Sequence, residues 1–323
     1  MRADVLAALL PDTSWEHVDS ASGFRESTRF FMTMAFRARS GPLVHRFNQD
    51  VKEKTKKGQY DLVWVDKGVY LWPKTMAYLR KRSTLMVHFT PDAAFLVNGS
   101  RHFRKTASNY DLLVTTKSFE INHYKNLVSA DRVLLTTQAY DRNLHRPLQS
   151  SGKKRKAAVF IGLCEPDRET CMDSLLSHDV PVRLGGRGWS KFLRRHRGNE
   201  NLHFLGEDVF GVDYVREYSS SAVGLGLLSK RFPELHTTRT FEIPACGALL
   251  ATERNQETAE FFDDDQVLFF ESYEQLARDL KSLLEQPGKL MQLANNGHRR
   301  VISGGFDYSN VLQRVLDELA ISD

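Results

Sequence analysis

Cysteine is scarce in this 323-residue sequence: there are three, Cys164, Cys171 and Cys246. An odd number with no metal-ligand spacing argues against a disulfide framework or a structural zinc module. Each lies in or beside an apolar stretch, where a reduced, buried thiol is expected. Long hydrophobic runs are missing too. Nothing approaches the roughly 18 apolar residues that span a bilayer, and Met1-Arg2-Ala3-Asp4 does not open a signal peptide, so a cytoplasmic location is expected. Internal repeats and low-complexity tracts are also absent, which excludes solenoids and tail-like chains.

What is present is ordinary globular material: 41% hydrophobic, 11% aromatic and 26% charged residues. That is enough apolar mass for two buried cores, and the length suggests two domains. The formal net charge is +5. Basic residues gather at Lys52–Lys57, Lys153–Lys156 and Arg194–Arg197. Such clusters favour anionic partners (nucleotide diphosphates, nucleic acid or acidic glycans) or are a solvated surface. No motif with groove-reading geometry accompanies them.

Short apolar runs alternate with helical stretches. Tyr60–Gly68, Leu85–Phe89, Tyr110–Thr116 and Val133–Thr137 read as buried strands, and Pro73–Arg82 as a helix between two of them. A second series follows at Ala157–Gly162, Val180–Gly185, Leu202–Gly206, Ala222–Leu228, Ala248–Thr252 and Val267–Phe270, with helices at Tyr273–Leu284, Leu290–Val301 and Ser309–Leu319. Between the series, Arg146–Lys156 is polar and cationic, which sets the expected boundary: domains at residues 1–150 and 151–323. The expectation is α/β, two doubly wound, Rossmann-like domains facing an interdomain cleft, with ligands beyond the carboxyl ends of the strands.

The segment richest in chemistry is Lys230–Glu253. A buried strand enters a polar loop with Lys230, Arg231, Glu234 and His236, then a short helix from about Thr238 to Ala245, then Gly247 and another strand. Thr237 or Thr238 can cap that helix, whose N–H groups suit a diphosphate. Lys230, Arg231 and Arg239 can neutralise charge on a departing nucleotide. Glu234 and Glu242, each able to accept two hydroxyl hydrogen bonds, can hold a sugar nucleotide or else belong to a plain surface.

The run Arg239-Thr240-Phe241-Glu242-Ile243-Pro244-Ala245-Cys246-Gly247 closely resembles the signature of glycosyltransferases related to the spore maturation protein CgeB, within the wider GT-B class. The likeness continues through Glu260-Phe261-Phe262, VLFF, the helix SYEQLARDLKSLLEQP and Asn296–Val301. It extends upstream through VFIG, LGGRGW and FLGEDV, and into the first half at YDLVWVDKG, HFTPDAAF and YDLLVTTK.

The resemblance implies sugar transfer from a nucleoside diphosphate sugar, uridine rather than guanosine, to a hydroxyl acceptor with retention of configuration, and the lack of an Asp-x-Asp pair at a strand end leads to the expectation of metal independence. It gives Glu242 to the donor ribose, and Glu234 to the donor sugar through a Glu-x7-Glu spacing. Arg231 or Lys230 would meet the diphosphate, and Gly162, Gly186, Arg187, Gly188 and Gly206 would form strand-end loops at the donor, with Trp189 either there or in packing. The acceptor is open: a glycan, a protein, or an anionic partner such as an acidic glycan or modified nucleic acid.

Two departures stand out. The first domain opens at what reads as its first helix, so a first strand is missing from the expected pattern, and the last helix is expected to pack back on that domain. A lone Asp92, followed by Ala93, stands where relatives often pair two aspartates; it can serve as base, as acceptor ligand or as a helix cap. His236 is a candidate for contact with either substrate. Lys67 and Gly68 end a strand, and His88 reads as a core histidine. Asp263–Asp265 reads as a solvated loop, and no Asp-x-Asp pair marks a metal site. The rival readings are an epimerase or hydrolase of the same fold and a noncatalytic nucleic-acid-associated protein.

Overall fold

The computed structural model describes residues 2–20, 24, 27–96, 98–148 and 154–321. Residues 149–153 of the expected boundary segment, Lys153 among them, lie outside the described residues. The chain forms two compact units. The first is Met1–Thr137 with Leu312–Asp323, and the second is Gln138–Val311. The units therefore part between Thr137 and Gln138, ahead of the polar stretch.

In the first unit, helices α1 (Arg2–Leu9), α2 (Arg29–Ala38) and α3 (Pro42–Lys54) precede a parallel sheet. Its strands β1 (Tyr60–Asp66), β2 (Ser83–Thr90), β3 (Leu112–Thr115) and β4 (Val133–Leu135) lie in sequence order. The connections carry α4 (Pro73–Arg80), α5 (Arg101–Thr106) and α6 (Ile121–Lys125). β2 and β3 are near-continuous apolar runs because a parallel sheet is covered on both faces. Their Met86 and Leu113 pack with Met76, Phe103 and Tyr124. His88 is fully buried there, stacked on Phe103 at 4.3 Å. Its Nε2–H donates to the Lys67 carbonyl at 3.1 Å, and burial holds its pKa down at about 4, so the ring is neutral.

The second unit is a six-stranded parallel sheet in the order β10-β9-β8-β5-β6-β7. Its strands are β5 (Arg155–Ile161), β6 (Val182–Gly185), β7 (Leu202–Gly206), β8 (Ser221–Leu225), β9 (Leu249–Glu253) and β10 (Leu268–Phe270). The helices are α7 (Pro166–Ser177), α8 (Ser190–Arg195), α9 (Gly211–Ser220), α10 (Arg239–Ala245), α11 (Gln256–Phe261), α12 (Tyr273–Leu284) and α13 (Pro287–Ser303). The last helix, α14 (Tyr308–Ile321), begins in this unit.

α12 shows how the sequence writes such an element. Ser272 caps it by accepting from the Gln275 N–H at 3.2 Å, and Leu276, Ala277, Leu280, Leu283 and Leu284 make one buried stripe. One core contains that stripe with Phe160 and Trp189, and the other contains Phe241, Ile243, Leu250 and Phe306. Among the described residues no helix is long and apolar enough to cross a membrane.

Candidate active site

Strand order selects the place to look. β5 is followed outward by β6 and β7, and the chain then returns so that β8 pairs on the other side of β5. At such a reversal the connections leave in opposite directions and open a crevice beyond the carboxyl ends of the two strands. Two loops meet there: Gly162–Glu165 leads from β5 into α7, and Gly226–Lys230 follows β8.

Glu165, buried at this junction, ties the loops together. Its Oε1 accepts from Arg168 Nη1 at 3.2 Å and its Oε2 from the Ser229 hydroxyl at 2.9 Å. Arg168 Nη1 also donates to the Leu163 carbonyl at 3.1 Å. A second arginine comes from α10: Arg239 lies with its guanidinium 5.5 Å from the Phe160 ring centroid, against 5.4 Å for Arg168, so two cations share one aromatic. Among the described residues, the Nε–H groups of both arginines are buried without a hydrogen-bond partner. Burial first, and the Arg239 charge second, push the Arg168 guanidinium below its ordinary value, while Glu165 and Glu234 oppose them. Buried donors left unpaired cost about 1–3 kcal/mol each. Arg168 Nη2 donates to the Leu227 carbonyl and Arg239 Nη1 to the Ile161 carbonyl, so both cations are fixed at the strand ends, where their charge would attract an anion such as a phosphate.

A depression of about 510 Å³ adjoins this network, lined by Ser229, Lys230, Arg231, Glu234, Glu253 and Asn255 among others. Lys230 forms an ion pair with Glu253, and Arg231 Nε stands 3.9 Å from Glu165 Oε1. Glu234 is half-buried in this wall and contributes to the field at Arg168.

Glu242, on α10, is not buried away in the core: its side chain keeps 15% exposure. Its Oε2 accepts from the Tyr214 hydroxyl at 2.7 Å, and its Oε1 is 3.8 Å from His145 Nε2. Burial and that carboxylate push the Tyr214 phenol well above its ordinary pKa, which fixes it as a donor. His145 Nδ1 accepts from the Asp141 N–H at 3.0 Å, so its Nε2 faces Glu242.

Several expected roles change. His236 is 3% exposed, with Nε2 accepting from the Gln138 N–H at 2.9 Å and Nδ1 bonded to Glu257. Packed edge-on against Phe241 and Phe261, it fastens the 138 segment to α11 and has no face for a substrate. Thr238 stands at the start of α10 with helical angles and no side-chain cap bond; instead the Thr240 hydroxyl accepts from the Thr237 N–H at 3.1 Å. Gly247 is at the far end of that helix, at φ +79°, where its N–H closes the last turn on Pro244 O at 2.9 Å.

Gly162 and Gly186 pack backbone on backbone, and Trp189, fully buried, donates to the Gly162 carbonyl at 2.9 Å. Gly188 packs against Cys164, and Gly206 accepts from the Gly186 N–H at 2.9 Å. Gly186 is buried and shapes its loop, whereas Gly188 is exposed and Gly162 and Gly206 are half-buried. Arg187 is exposed and paired with Asp208 at 2.7 Å. In the first unit, Asp92 follows β2, held by Lys67 at 2.5 Å and by Asn98 at 3.2 Å.

Sequence reasoning missed Glu165, Arg168, Ser229, Tyr214 and His145. The available signal was the short Gly162–Glu165 loop between a buried strand and the helix start at Pro166, a junction where a ligand-facing loop is expected. Among the described residues, no three His, Cys, Asp or Glu side chains converge as a metal site would require.

Two parallel-sheet α/β units, the second with its order reversal, give the chain a GT-B fold, the architecture of its structural neighbours. Residues 168–317 match a family model described as glycosyl transferase-like. HepE of Anabaena, solved in complex with UDP-glucose, is 15% identical with a TM-score of 0.60, covering 87% of this chain and 82% of that one. Sucrose-phosphate synthase of Thermosynechococcus elongatus is 13% identical with a TM-score of 0.60, over 87% and 79% of the two chains. A glycosyltransferase of Rickettsia africae is 14% identical with a TM-score of 0.61, over 86% and 81%. No curated protein sequence matches the chain.

Proposed function

We propose that this chain is a glycosyltransferase of the CgeB-like kind that takes a hexose from a uridine diphosphate donor and passes it to a hydroxyl acceptor with retention of configuration. The observation that carries the reading is the pair of arginines, buried Arg168 and half-buried Arg239, at the strand-order reversal of the second sheet, whose Nε–H groups are buried without a hydrogen-bond partner. The glycosyl transferase-like match over residues 168–317 and the fold shared with a UDP-glucose-bound protein support it.

In this reading the diphosphate lies against Arg168 and Arg239, with Arg231 and Lys230 at the rim. As the glycosidic C–O bond breaks, negative charge builds on the leaving diphosphate, and cations already fixed in place stabilise it without reorganisation. Glu242, oriented by Tyr214 and His145, takes the ribose hydroxyls, and Glu234 takes hydroxyls of the sugar. The acceptor belongs to the first unit, where Asp92, held by Lys67, receives its hydroxyl. An anionic acceptor accords with the net charge of +5.

The test is a thermal-shift series with uridine, guanosine, cytidine and thymidine diphosphates and their sugars, followed by turnover with and without acceptors. A site-specific ligand at a hundredfold excess over Kd stabilises by about 2.7 kcal/mol. The expected result is selective stabilisation by the uridine compounds, lost in Arg168→Gln and Arg239→Gln, and transfer abolished in Glu242→Gln with the fold retained. Wild-type turnover in Glu242→Gln refutes its assignment. Donor consumption that needs no acceptor would favour an epimerase or hydrolase, and indifference to every nucleotide would end the proposal.

A further inference from the structure

The first unit carries a surface that the sugar-transfer reading does not use. Among the described side chains of α2, Ala35 alone is buried. Phe30 is 71% exposed, Phe36 55%, Phe31 38% and Met32 37%. Single exposed apolar residues are unremarkable on any protein, but four on one ten-residue helix make a patch. By helical spacing, Phe30, Thr33, Phe36 and Arg37 share the side opposite Ala35, so aromatic and basic groups alternate on the outward face.

Charge singles out the same region. Residues 29–57, which make α2, α3 and the turn after it, contain eight Lys and Arg against two Asp and Glu, a net +6. The whole chain is +5, so the rest of the protein sums to −1. Arg37, Arg46, Lys54, Lys56 and Lys57 are exposed. α5 extends the basic area: its His102 Nε2–H donates to the Arg39 carbonyl at 3.1 Å, placing exposed Arg101, Arg104 and Lys105 beside the α2–α3 turn.

We propose that this face docks on an anionic lipid surface, with α2 lying in the interface. A convex helix with exposed Phe and Met needs no complementary groove on a bilayer, because the acyl boundary receives it at any rotation that keeps the charges at the headgroups. The surrounding cations supply the attraction to acidic headgroups. A protein partner would require a groove matched to this helix, and a bilayer does not. Such docking would hold a transferase at the membrane surface.

The experiment is co-sedimentation of the full chain with vesicles of pure phosphatidylcholine and of an equimolar mixture with phosphatidylglycerol, at low and at about 0.5 M salt. Binding to the anionic vesicles alone, weakened by salt, is expected. Phe30→Ser with Phe36→Ser should weaken it by about tenfold or more. Arg37→Gln with Arg46→Gln should weaken it and flatten its salt dependence. Both double variants should keep the wild-type nucleotide response, since neither touches the second sheet, and circular dichroism should show both folded. Failure to sediment with anionic vesicles, or unchanged sedimentation of both double variants, overturns the proposal. Phe-dependent binding of a single-stranded oligonucleotide in place of vesicles overturns it in favour of a nucleic-acid surface.

Discussion

Replacing Gly186 and Gly206 separately by alanine separates two physical costs that usually come together. Both glycines hold backbone angles that side chains rarely adopt, with φ at +115° and +113°. At Gly206 an added methyl meets nothing within 4 Å, so Gly206→Ala bears the conformational cost alone, roughly 1–2 kcal/mol. At Gly186 the same methyl would fall 2.1 Å from the Gly162 carbonyl oxygen and 2.7 Å from its carbon. Backbone cannot swing aside as a side chain does, so the β5 and β6 loops must part, adding roughly 1–3 kcal/mol. In a unit the size of residues 138–311, each kcal/mol lowers Tm by roughly 2–4 °C. Gly186→Ala should therefore melt several degrees below Gly206→Ala when unfolding is followed by circular dichroism. It should also lose more of its uridine diphosphate affinity, because the displaced Gly162 carbonyl anchors Trp189 and begins the loop that carries Glu165. Equal melting temperatures for the two variants would refute the backbone-contact argument.

Tyr214→Phe removes the 2.7 Å bond to Glu242 and should weaken uridine diphosphate binding about three- to tenfold by calorimetry, the worth of one net hydrogen bond. His88, held at about 4 when folded against an ordinary 6.5, gives the unfolded chain the extra proton between those values. Stability should thus fall by up to about 3 kcal/mol as pH drops from 6.5 to 4, and His88→Phe should flatten that part of the denaturation profile. Burial lowers Lys154 to about 8 from 10.5, so here too the unfolded chain binds the extra proton within that window. Relative to Lys154→Met, the wild type should gain up to about 3 kcal/mol as pH rises from 8 to 10.5, read from urea midpoints.

The strands were legible because buried parallel strands are written as continuous apolar runs; Leu112–Thr115 and Ser221–Leu225 need no partner to be recognised. Less legible was where one unit ends. Polarity marks exposure, whereas membership depends on packing, and Tyr140 and His145 pack within the second unit ahead of the polar segment. At the site, the Arg239–Gly247 run pointed to Glu242 and Arg239. Arg168 was hidden because Pro166-Asp167-Arg168-Glu169 reads as an ordinary helix start; strand order is what brings its partner Glu165 across to Ser229. His236 misled for the opposite reason. A histidine near a glutamate in a polar loop looks accessible, yet its ring is walled in by two phenylalanines.

The pairing of β5 with β8 has a kinetic meaning. β5, β6 and β7 are near neighbours in sequence and can zip early, but β8 must return across some sixty residues to reach β5, a closure with a larger entropic cost. Glu165, Arg168 and Ser229 straddle that late joint, so any ligand they hold works as a clasp on the least local contact of the sheet, and its departure frees the region best suited to open.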